Sequence, residues 1–123
     1  MMLSTEKAMQ EFTITIGKDY SPTPGGRYIR NGDHSGEHFR DTVLVPALKE
    51  HDHLTVYLDG TVGYAGSFLE EVFGGLIREA KFSPDDVRKK LSVAVNNPRY
   101  EIYRRMVEQY IQDAGKPSSD RVA

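Results

Sequence analysis

Phe12, Ile14 and Ile16 alternate with Thr13 and Thr15, a period of two that places the apolar residues on one face of a strand. The same period returns at Leu54, Val56 and Leu58 and again at Leu91, Val93 and Val95. Between these strands the spacing lengthens to that of a helix. Phe39, Val43, Leu44, Ala47 and Leu48 form one apolar stripe, so a helix is predicted from Ser35 to about Glu50, with a kink at Pro46 where a backbone donor is missing. Leu69, Val72, Phe73, Leu76, Ile77 and Ala80 predict a second buried helical face, and Tyr103, Met106, Val107, Tyr110, Ile111 and Ala114 a last one, closed by Gly115 and Pro117. Ser83-Pro84-Asp85-Asp86 has a cap, a proline and two acids in helix-starting order and predicts a short helix to Lys90; Asn97-Pro98 opens the final helix by the same logic.

Pro22, Pro24, Gly25, Gly26 and Gly32 rule out a helix between Gly17 and Ser35. Within that stretch Arg27-Tyr28-Ile29-Arg30, followed by Asn31-Gly32, reads as an edge strand guarded by its arginines. Strands alternating with helices give an α/β fold with parallel pairs and right-handed crossovers. A strand buried on both sides is apolar throughout, whereas these alternate, so helices should cover mainly one face of the sheet. The expected architecture is two-layered, with a mixed sheet of four to five strands. One domain is expected over residues 11–115, with residues 1–10 and 116–123 as flexible termini.

The 123 residues are 38% hydrophobic, enough for one ordinary core and too few for two domains. Sixteen basic side chains against 18 acidic ones, a net charge of −2, give no general attraction to phosphate backbones, so nucleic acid is not an expected partner. No cysteine is present, which removes disulfides, thiolate metal sites and a cysteine nucleophile. Neither a membrane-length apolar run nor a basic-then-apolar leader stands in the sequence, and a cytoplasmic location is expected. His34, His38, His51 and His53 show no metal-ligand spacing and read as surface residues, so no metal and no cofactor are expected.

Ser67 and Glu70 have the spacing of a capping box, in which a hydroxyl and a carboxylate each satisfy a backbone amide. A serine at a helix start can equally take a phosphate, which would meet free N–H groups there. Gly74 and Gly75 lie inside a predicted helix at a cost of about 1 kcal/mol each, which close approach of either the protein's own backbone or a partner's would offset. Tyr57 and Tyr64 flank this region and supply rigid contact area. Asp59, at the end of the central strand, has no identifiable catalytic partner and should brace the Gly60 to Gly66 loop. A separate reading makes Gly25, Gly26, Arg27, Tyr28 and Arg30 an anion site for a nucleotide or nucleic acid. No nucleophile–base pair or phosphate loop can be named, and no enzyme activity is expected.

The segments SPTPGGRYIRNGDHSGEHFR (21–40) and LTVYLDGTVGYAGSFLEEVFGGLIR (54–78) resemble the STAS-like family of bacterial proteins, relatives of the anti-sigma-factor antagonists. The resemblance extends from Phe12 to about Ala114. It implies a non-enzymatic regulatory or adaptor domain that binds a partner protein, a switch kinase of the histidine-kinase-like ATPase type. In the antagonists a serine at the start of the helix after the central strand is phosphorylated by that partner, and Ser67 occupies the matching place. Where the antagonists carry Asp-Ser-Ser-Gly, this chain has Ala65-Gly66-Ser67-Phe68. The partner surface so implied comprises Tyr57, Asp59, Tyr64, Ser67, Phe68, Glu70, Glu71, Gly74 and Gly75.

Overall fold

The computed structural model describes residues 11–116. The expectation of flexible termini falls almost wholly outside these residues. Three strands form the sheet in the order β1-β2-β3: β1 (Glu11–Thr15), β2 (His53–Tyr57) and β3 (Leu91–Ala94). Both pairings are parallel, with Ile14 beside Val56 and Val56 beside Val93. The predicted periods are thus in register, and Ile14, Leu54, Val56 and Leu91 are buried on one face. Thr13, Thr55 and Ser92 share the opposite face and are exposed or half-buried.

The expected mixed sheet of four to five strands is corrected to three parallel strands among the described residues. Arg27 to Arg30 is not an edge strand. Ile29–Asn31 is a single 3₁₀ turn, because local side chains satisfy the backbone amides that a sheet would otherwise claim. Asn31 Oδ1 accepts from Tyr28 N at 2.9 Å and Glu37 Oε1 from Ile29 N at 2.9 Å.

A short helix, α1 (Ile16–Asp19), follows β1. Helix α2 covers residues 36–50, begins at the Ser35 cap as predicted, and contains a π turn at Arg40–Leu44 between α-helical ends. The π turn lies immediately before Pro46, so the expected kink is taken up as a wider turn in which Val45 N bonds Arg40 O. Helix α3 covers residues 66–78 and has a second π turn at Glu70–Gly74. Helix α4 (Pro84–Lys90) starts at Ser83, whose hydroxyl accepts from Asp86 N, and α5 (Glu101–Ala114) follows a 3₁₀ turn capped by Asn97.

The core lies between the apolar sheet face and the helices. Phe39, Leu44, Leu54, Val56, Phe68 and Phe73 are among its fully enclosed side chains, each stabilising the fold by roughly 1.5–3 kcal/mol. The middle of α3 is the hub, since both α2 and α5 pack on it.

Candidate docking site at the carboxyl end of the sheet

Parallel strands point their carboxyl ends the same way, so the loops after β1, β2 and β3 gather at one edge, where α/β folds commonly place function. The central loop, residues 58–65, is fixed from several directions. Tyr64 Oη donates to Leu58 O at 2.6 Å and Tyr100 Oη to Thr61 O at 2.5 Å, while Val62 N donates to Pro22 O at 2.9 Å. Tyr103 lies edge-on to Tyr64, with centroids 5.2 Å apart. Burial pushes the Tyr64 phenol well above its ordinary range. Held this way, the loop turns Val62 outward, 73% exposed, and Ile102 at the start of α5 is 60% exposed.

Asp59 braces a different loop from the one expected. Its carboxylate accepts from Asn96 N (2.9 and 3.1 Å) and from Asn97 N (2.7 Å), tying the turn after β3 to the end of β2.

The predicted capping box is absent. Helix α3 begins two residues early, with Ala65 rather than Ser67 as its N-cap and no side-chain bond there. Gly66 allows this start: a Cβ on it would stand 2.9 Å from the Tyr110 hydroxyl, so α5 packs directly over the first turn. Ser67 is therefore half-buried at the second helical position, and among the described residues its hydroxyl has no hydrogen-bond partner.

Glu70 serves an ion network instead of a cap. Glu70 receives Arg27 Nη1 at 2.6 Å and Arg78 Nη1 at 2.6 Å. Glu71, 4% exposed, receives Arg40 Nη1 at 2.6 Å, Arg27 Nη1 at 3.0 Å and Arg78 Nη2 at 3.3 Å. Burial pushes the Glu70 carboxyl up, but the bonds from Arg78 and Arg27 outweigh it and the net shift is downward. Gly74 and Gly75 make room for this network. A Cβ on Gly75 would lie 2.5 Å from Arg40 Nη1, and one on Gly74 2.5 Å from Glu70 Oε2.

Of the predicted partner surface, Tyr57, Asp59, Tyr64, Ser67 and Glu70 retain partial exposure. Phe68, Glu71, Gly74 and Gly75 are buried and form no surface, because the π turn of α3 packs against α2 and α5. The proposed anion site fares no better. Arg27 is bound to both glutamates, and the Arg30 guanidinium stacks 4.6 Å from the Tyr28 ring beside the half-buried Gly25 and Gly26. The sequence reading missed Val62, Arg40, Arg78 and the tyrosines of α5 as determinants of this end. For Arg40 a signal existed: it falls four residues before Leu44 and eight before Leu48, on the apolar stripe of α2.

A family profile described as a STAS-like domain of unknown function matches residues 35–101. The chain belongs to this STAS-like family. The matched span runs from the cap of α2 to the first residue of α5 and includes Asp59, Val62, Ser67, Arg40, Arg78 and both network glutamates. No curated protein and no solved structure matches the chain. Among the described residues of this STAS-like domain no helix is long and apolar enough to cross a membrane, and no cluster of His, Asp and Glu is suited to a metal.

Proposed function

We propose that this STAS-like domain is a non-enzymatic regulatory adaptor that docks on a protein partner through the carboxyl end of its sheet. The partner is a histidine-kinase-like ATPase, and Ser67 is its phosphoacceptor. The observation that carries the docking surface is Val62: a 73%-exposed aliphatic side chain on a loop immobilised by two tyrosine hydroxyls. Such a group loses little conformational freedom on binding, and an exposed apolar residue on a rigid support favours association. Ile102 widens the apolar surface.

Two features favour modification at Ser67. Its hydroxyl is not consumed by a cap, and the carboxylates one turn along α3 are matched by Arg27, Arg40 and Arg78, which removes most of the local repulsion toward a phosphate. In the transfer, Ser67 Oγ forms the new bond to the γ-phosphorus of ATP on the partner, the bond to the β–γ bridging oxygen breaks, ADP leaves, and the hydroxyl proton passes to a base of the kinase. The added charge, about −1.5 to −2, would then lie inside the docking surface. Arg27 and Arg30 do not favour a nucleic-acid reading, since the first is ion-paired and the second is stacked on Tyr28.

The test incubates the chain with a histidine-kinase-like ATPase and ATP and follows intact mass and complex formation. One added phosphate, absent in Ser67→Ala, and binding lost in Val62→Asp are expected. An unmodified mass removes the phosphoacceptor, and undiminished binding by Val62→Asp removes the surface.

A further inference from the structure

Strand β3 is an outer strand, and among the described residues nothing pairs with its far edge. Leu58 N bonds Ala94 O, so the backbone groups of Ser92 and Ala94 point toward β2. Alternation along β3 then turns those of Leu91 and Val93 outward, and Val95 follows directly on the strand's last residue. Beside this edge runs an open groove of ≈520 Å³ between α4 and α5, lined by Val87, Leu91, Val93 and Ile111 and flanked by Arg88 and Glu108.

We propose that this edge pairs with the same edge of a second copy of the chain, antiparallel and centred on Val93, so that two three-stranded sheets become one across a two-fold axis. The strand is self-complementary in that register. Val93 meets its own counterpart at the axis, Leu91 stands opposite Val95 on the helix-covered face, and Ser92 stands opposite Ala94 on the bare face. Opposed β-branched and aliphatic residues are favourable cross-strand pairs, and the outward N–H and C=O groups satisfy one another.

The charges agree with the same geometry. The end of α5 lies beside α4, where Gly115 approaches Pro84, and its first turns lie at the carboxyl end of the sheet, where Tyr100 reaches Thr61. Glu108, midway along α5, therefore lies further toward the carboxyl end of β3 than Arg88, which stands just before the strand begins. An antiparallel copy brings Arg88 of each chain toward Glu108 of the other; both are more than 60% exposed and would exchange pairs on their own helices, with Asp85 and Arg104, for one across the axis. An isologous contact of this kind closes on itself and does not propagate into fibres.

Size-exclusion chromatography with light scattering over a dilution series tests the assignment. The wild-type chain should show twice its own mass at high concentration and dissociate on dilution. Val93→Pro removes an outward donor, a change tolerated at an outer strand, together with a side chain packed against the core, and should be monomeric while keeping a folded circular-dichroism spectrum, if at a lower melting temperature. Arg88→Glu and Glu108→Arg should each weaken association about tenfold or more, and the double variant should restore it. A chain that is monomeric at every concentration, or a dimer indifferent to both Val93→Pro and Arg88→Glu, overturns the proposal.

Discussion

Replacing Arg40 with methionine removes the cation that holds the middles of α2 and α3 together. Its side chain is 6% exposed and that of Glu71 4%, and one guanidinium nitrogen serves both the Glu71 carboxylate at 2.6 Å and the Glu71 carbonyl at 3.1 Å. Burial disfavours the Arg40 charge, yet bonds to Asp41 and Glu71 more than compensate, and the guanidinium is held above its ordinary range. Breaking a buried pair by removing one partner costs about 3–5 kcal/mol. Here Arg27 and Arg78 still contact the other oxygen of Glu71, so the expected cost lies at the lower end, about 3 kcal/mol. For a chain of 123 residues that lowers Tm by roughly 12 °C. Removing both charges, as in Arg40→Met with Glu71→Met, leaves no uncompensated buried ion, since the more exposed Arg27 and Arg78 keep Glu70, and should recover most of the loss, because apolar replacements of buried pairs are often nearly neutral. Urea and thermal unfolding of the wild type, both single variants and the double variant, followed by circular dichroism, completes the cycle. A cost below about 1 kcal/mol for Arg40→Met, or a double variant as unstable as the sum of the singles, refutes the view that this pair is buried and mutually dependent.

Gly75→Ala should destabilise by about 1–3 kcal/mol despite alanine's better helix propensity, since the new methyl displaces the Arg40 guanidinium; Gly74→Ala, which meets the end of the less buried Glu70 side chain, should cost less in the same melts. Ser67→Ala should change stability by less than about 0.5 kcal/mol, whereas Ser83→Ala should lose about 1 kcal/mol, because only Ser83 caps its helix. Glu70 has a depressed carboxyl in the fold, so its stabilisation is full above the unfolded value of about 4.3 and fades as pH falls through the lower folded value. Denaturation midpoints of Glu70→Gln should consequently fall less steeply with acid than those of the wild type. The Tyr20 phenol is pushed up to about 12 by burial; ultraviolet titration should show a tyrosinate step near that pH which Tyr20→Phe lacks, and its stabilisation, complete below the unfolded value of about 10, is lost as pH rises through the folded one.

The parts of the fold legible in the sequence were those encoded within a few residues. Alternation at Ile14, Leu54 and Val93 placed the strands, and the caps at Ser35, Ser83 and Asn97 placed three helix starts, because each signal acts between neighbours in the chain. The start of α3 slipped by two residues because Tyr110, 44 positions away, packs on Gly66 and favours a turn that begins there over the Ser67 cap. Arg27-Tyr28-Ile29-Arg30 ahead of Asn31-Gly32 has the arginines and tight-turn residues of an edge strand, and the side chains of Asn31 and Glu37 fold it into a turn instead. The ion network was hidden for a related reason: Arg27, Arg40 and Arg78 are far apart in sequence, and α2 and α3 must cross before they meet. The candidate docking surface was legible in its location, after the central strand, but not in its leading residue, since exposure at Val62 comes from the hydroxyls of Tyr64 and of Tyr100, in the turn before α5.

The π turn at Glu70–Gly74 also sets the alignment of residues eight apart. In an uninterrupted α-helix two such positions differ by about 80° around the axis, too far for Glu70 and Arg78 to form two parallel bonds. A wider turn absorbs one additional residue, so the two side chains meet as if only seven positions separated them. The helix can therefore shorten by one residue inside that turn and keep every downstream face in phase, whereas a deletion beyond it would rotate Arg78 away from its glutamates. A one-residue deletion in α3 is thus best accommodated in the one turn where the backbone already holds a spare residue.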